Sequence, residues 1–81
     1  MNTQKVIEDL DRIYTKGEGM KVYTAIMPGI LGDFDRMLKG APAGKSLTEE
    51  YRLEDGKGVL YVTGRRLANG QVEMDVKVVK I

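Results

Sequence analysis

The chain has no cysteine, no histidine and no tryptophan, and only two prolines among its 81 residues. Without cysteine there is no disulfide to staple a small domain and no thiol nucleophile. Without histidine the commonest general base at neutral pH is missing. The two absences also remove the usual zinc ligands, so a metal site would have to be built from oxygen alone. Neither charge is in excess: 13 Lys and Arg stand against 12 Asp and Glu. Neither half of the chain forms the basic block that counterion-release binding to nucleic acid requires. No apolar run approaches the roughly 18 residues of a membrane span. Residues 1–11 lack the apolar segment of a secretory signal. The expectation is a single domain over residues 1–81, cytoplasmic, with no membrane partner and no cofactor.

Size narrows the function classes further. Eighty-one residues are too few for a dinucleotide fold or a barrel enzyme. In so small a domain the gain from burial and the cost of chain ordering nearly cancel. Natural chains of this length usually add a disulfide, a metal or a partner chain. With the first excluded and the second disfavoured, a partner chain is the expected source of extra stability.

What is present is mostly periodicity. Val6, Ile7, Leu10, Ile13 and Tyr14 fall on one helical face, predicting a helix over residues 4–16. Thr3 is the expected N-cap, Glu8 and Arg12 an outer i,i+4 pair, and Gly17 the stop. Residues 21–27 read as a strand: Val22, Tyr23 and Ile26 carry β propensity and Pro28 ends it. Ile30, Leu31, Phe34, Met37 and Leu38 repeat the helical spacing over residues 29–39, with Asp35 and Lys39 paired outside. Three strands follow, at about 46–53, 58–67 and 71–80, joined at Asp55-Gly56 and Asn69-Gly70. Residues 46–53 also carry a helical capping-box pattern, Ser46 to Glu49, and are ambiguous between strand and helix. The predicted fold class is α+β. Two amphipathic helices pack on one face of a mostly antiparallel sheet of about four strands, in the order α-β-α-β-β-β.

Turn chemistry also predicts register. A two-residue turn at Asp55-Gly56 puts Tyr51 across from Leu60. A three-residue loop, with Gly70 left-handed, puts Val62 across from Val76. One face is then Leu47, Tyr51, Leu53, Leu60, Val62, Val72, Met74, Val76 and Val78. The other carries Glu50, Tyr61 and Lys77 in a row, with Arg65 opposite Glu73. A two-residue turn at Asn69-Gly70 is the rival and flips the middle strand. In the preferred register Val59, Tyr61, Val79 and Ile81 form an apolar strip on the face that two helices cannot reach. That strip is the candidate interface, for a second copy of the chain or for another protein.

Two other constellations carry weaker chemistry. Lys57, Arg65, Arg66 and Lys77 gather near Tyr61 in the strand region, a pattern compatible with single-stranded nucleic acid. Glu50, Glu73 and Asp75 offset them, so cross-strand pairing is the simpler role. Gly40-Ala-Pro-Ala-Gly44-Lys45-Ser46 resembles a phosphate-binding loop, but holds three residues between its glycines where that loop has four. Gly44, Lys45 and Ser46 remain a candidate anion contact. No serine or threonine has an evident base, and the paired carboxylates diverge, so no catalytic residue is expected. The expected function is that of a non-enzymatic interaction module: an adaptor, regulator or inhibitor, one concrete version being a phage or mobile-element inhibitor of a host protein. Nucleic-acid binding and anion binding are the alternatives.

Overall fold

The computed structural model describes residues 1–81. Its elements are α1 (Thr3–Ile13), α2 (Glu18–Leu38), β1 (Ser46–Arg52), β2 (Gly58–Arg66) and β3 (Val72–Lys80). The chain is α+β, with a three-stranded antiparallel sheet in the order β1-β2-β3. The expected fourth strand is absent. Residues 21–27 belong to α2, and residues 29–39 are not a separate helix but its continuation through Pro28.

The reason is an unbroken apolar stripe. Gly19, Met27, Ile30, Phe34 and Leu38 are buried, and Val22, Tyr23 and Ile26 are half-buried. These positions recur at helical spacing straight across the proline. Packing of such a stripe outweighs the strand preference of a few residues. Pro28 cannot donate to the Thr24 carbonyl, but both residues are exposed, where water can replace that bond.

The first helix is shorter than its period suggests, ending at Ile13. Its cap is Asn2 rather than Thr3; the Asn2 side chain accepts from the Lys5 amide at 3.2 Å. Arg12 pairs with Asp9 at 2.6 Å instead of with Glu8. In α2, Arg36 pairs with Asp33, and the Asp35–Lys39 pair does not form. Gly17 does more than stop α1: it is the N-cap of α2, at φ +92, and has no side chain to cap with. Asp11 of α1 does that work. Its Oδ1 accepts from the Gly17 amide at 3.2 Å and the Gly19 amide at 2.7 Å. A carboxylate at a helix N-terminus satisfies orphan donors and opposes the helix dipole. Here it also ties the two helices together.

The predicted register is the observed one. Tyr51 faces Leu60, Val62 faces Val76, and Glu50, Tyr61 and Lys77 form one row. Residues 46–52 are strand, which resolves their ambiguity. The second hairpin closes as predicted: the Leu67 amide bonds the Gln71 carbonyl at 2.8 Å, and Gly70 sits at φ +86. The first hairpin differs. The Gly56 amide bonds the Leu53 carbonyl at 2.9 Å, and the Leu53 amide bonds Gly58 at 3.0 Å, so residues 54–57 form the loop. A four-residue loop and a two-residue turn here share one pairing frame, which is why the register survives.

Both helices cover the same face of the sheet. Val6 and Leu10 of α1 and the α2 stripe pack with Leu60, Val62 and Met74. Leu10, Phe34, Leu60 and Val62 are fully buried. Burying such side chains contributes about 1.5–3 kcal/mol each. Gly64 lies directly under the Phe34 ring. The opposite face of the sheet has no helix on it.

Candidate functional site

The uncovered face is built by alternation. On β2 it carries Val59, Tyr61, Thr63 and Arg65; Thr48, Glu50 and Arg52 flank them on β1, and Glu73, Asp75, Lys77 and Val79 on β3. Tyr61 is its centre, 40% exposed, between Glu50 and Lys77. Val79 is half-buried, and Ile81 lies beyond the sheet at 67% exposure. Val59 behaves differently from the expectation. It is only 4% exposed, set between Arg52 and Val79 with Tyr61 further along the strand, and it offers little area for contact. The strip is therefore Tyr61, Val79 and Ile81, over a base formed by Val59.

The basic residues are dispersed. Lys57 lies in the first hairpin loop, its ammonium 5.5 Å from the Tyr14 ring centre. Arg65 is on the uncovered face, bonded to Glu73 at 2.9 Å. Arg66 is one residue on, so it points to the helix side; it is half-buried, and its guanidinium donates to the Ala41 carbonyl at 3.4 Å. Only Arg65 and Lys77 share a face, and acids stand beside both. The loop at Gly44 is also committed internally. The Gly44 amide donates to the Arg66 carbonyl at 2.8 Å and the Lys45 amide to the Pro42 carbonyl at 3.2 Å. Ser46 starts β1 opposite Arg65. The two amides that would cradle an anion are thus occupied.

A further feature lies on the helix side and escaped the sequence reading. Between α2 and β1 runs a groove of about 330 Å³ whose reachable apolar lining is the half-buried Ile26 and Tyr51, over the buried Ile30, Leu53 and Leu60. Gly29 leaves a notch in its helical wall. Asp33 and Tyr51 also line a second hollow, with Glu49, Arg36 and Met37. The Tyr51 hydroxyl donates to Asp33 Oδ2 at 3.2 Å, bridging the two walls. Splitting α2 at Pro28 hid it, because Gly29 then read as a helix start. The usable signal was two glycines, Gly29 and Gly32, inside an apolar helical period.

No family model, curated protein or solved structure matches this chain. Function must be read from its own surfaces. No helix is long and apolar enough to cross a membrane.

Two tyrosines report on the packing at high pH. Burial, then the Asp33 carboxylate, pushes the Tyr51 phenol up to about 12. Burial, then Asp55, pushes Tyr14 up to about 12. Asp55 itself is held low, chiefly by the Lys57 amide that donates to it at 3.0 Å. An unfolded tyrosine titrates near about 10. A phenol raised in the folded state contributes stability that is complete below the unfolded value. That contribution is lost as pH climbs from about 10 through the folded value. Absorbance at 295 nm should show a late tyrosinate step from these two residues. The urea midpoint should fall across the same interval, and fall less in a Tyr14→Phe/Tyr51→Phe variant.

Proposed function

We propose that the protein is a non-enzymatic interaction module whose uncovered sheet face seats a second copy of the chain. One observation carries this reading: the central row Glu50–Tyr61–Lys77 is self-complementary. A two-fold axis along β2 lays each Tyr61 on its counterpart. The same rotation sets Glu50 over the partner's Lys77 and Lys77 over the partner's Glu50. Isologous contact of this kind is the commonest symmetric interface. Arg52 then lies over the partner's Val79, where its aliphatic stem adds apolar contact. The same rotation lays Arg65 over the partner's Arg65 two rows away, where each guanidinium is offset by its own Glu73 at 2.9 Å. A second copy would also supply the staple that the cysteine-free domain lacks.

The test is oligomeric state. Sedimentation should find a dimer at sub-millimolar concentration. Tyr61→Glu, which buries an unpaired charge at the centre, should weaken it by about a hundredfold. Lys77→Glu alone should weaken it by about tenfold, and Glu50→Lys/Lys77→Glu should restore it, because only the swap keeps opposite charges facing. A monomer up to about 1 mM would overturn the reading, since about 4 kcal/mol is the weakest association worth the name. The dispersal of Lys57, Arg65, Arg66 and Lys77 gives the nucleic-acid alternative no comparable support.

A further inference from the structure

We infer that the groove between α2 and β1 is a docking site for an extended peptide that adds as a fourth strand and presents an apolar residue flanked by basic ones. The site lies on the helix side of the sheet, so it is separate from the face around Tyr61.

Three observations carry this. First, β1 is an edge strand, paired only with β2. Its backbone groups on the other side lack a strand partner, and such an edge is the template for strand addition. Second, the helix wall beside that edge is opened by Gly29. A side chain there would meet nothing within 4 Å, and the residue is not at positive φ. Glycine inside a helix is unfavourable relative to alanine, and internal packing does not require it here. What it provides is room beside the half-buried side chains of Ile26 and Tyr51, which are the apolar surface a ligand can reach, with Ile30 and Leu53 beneath them. Third, the rim is acidic. Asp33 is paired with Arg36, and the rim cation Arg52 is held by Glu50 of the uncovered face at 3.7 Å. Glu49 and Glu54 take part in none of the six ion pairs. They stand on either side of the notch, Glu54 in the groove and Glu49 in the second hollow.

The occupant follows from strand geometry. In an added strand, alternate side chains point to the helix side. Opposite Tyr51 such a side chain enters the Gly29 notch and should be aliphatic. Its neighbours two residues away on each side lie near Glu49 and near Leu53–Glu54, and should be Lys or Arg. The pattern Lys-x-Leu-x-Lys reads the same in either strand direction, so the groove need not choose one.

The probe is a fluorescein-labelled octapeptide containing Lys-Thr-Leu-Thr-Lys, with Glu-Thr-Leu-Thr-Glu as control, titrated against the full chain at low salt. The lysine peptide should bind at least about tenfold more tightly than the control, because like charges repel the latter from the rim. Amide shift changes should map to residues 46–54 and 26–33. Gly29→Leu, which fills the notch without harming the helix, should weaken binding by about tenfold or more. Glu49→Gln/Glu54→Gln leaves the backbone and core untouched and should weaken it about fivefold, with a shallower salt dependence. No binding at millimolar protein, equal binding by both peptides, full binding by either variant, or shifts centred on Tyr61 or the β3 edge would each overturn the assignment. Tyr61→Glu serves as the independent control, since it changes association of the chain with itself and leaves this groove intact.

Discussion

Gly19→Ala is expected to lower the unfolding free energy by about 3 kcal/mol or more. The new methyl would lie 2.9 Å from the Asp11 amide nitrogen, and closer still to the Ile7 carbonyl oxygen. These are backbone atoms of α1, which no rotamer change can move aside. The helices must separate, and separation breaks the 2.7 Å bond from the Gly19 amide to Asp11. One substitution thus removes a close helix crossing and the cap of α2 together. A domain of this size has roughly 4–12 kcal/mol of stability in all, so the loss should be plain in a urea melt. Asp11→Ala separates the two contributions. It removes the cap but leaves the crossing free of any clash, and should cost about 1–2 kcal/mol. If Gly19→Ala costs no more than Asp11→Ala, the two helices are not in close contact at Gly19.

Neither effect could be read from the chain before folding. Gly17 and Gly19 look like a flexible connector, because their neighbours carry no periodic signal of their own. The capping acceptor, Asp11, is a helix residue six and eight positions away. Local capping rules do not search that far. The same limit explains the missing strand. Residues 21–27 combine β-branched and aromatic side chains with a terminal proline, and each feature alone argues for a strand. Only the continuity of the stripe from Gly19 to Leu38 argues for a helix, and that stripe becomes visible once Pro28 is allowed an exposed position. The hairpins were legible for the opposite reason. Their pairings depend on short loops and strict alternation, both local, and the two constraints agree on one register. The row Glu50–Tyr61–Lys77 was therefore predictable. The groove beside Gly29 was not, since its two walls come from elements about 20 residues apart, one of which had been split.

Gly64→Ala should cost about 2 kcal/mol, and Phe34→Leu should relieve it. The inward-facing side of Gly64, in the central strand, is covered by the Phe34 ring; an added methyl would come within 2.8 Å of Cε1 and 3.4 Å of Leu38 Cδ1. The ring is fully buried, in an interior that is close-packed. Glycine in a strand interior is otherwise a poor choice, and close approach of another group is its usual justification. Phe34→Leu alone should cost about 1–1.5 kcal/mol by leaving a void over Gly64. In the double variant the alanine methyl occupies that void. The combined loss should fall short of the sum by about 1 kcal/mol or more. Additivity within about 0.5 kcal/mol would mean that the ring and the glycine do not share the space. The pair matters beyond stability because Phe34 seats the second half of α2 on the middle of the sheet. Asp33, which lines the groove beside β1, takes its height above the sheet from that contact. Changing the Phe34–Gly64 spacing should therefore also change how far the groove opens.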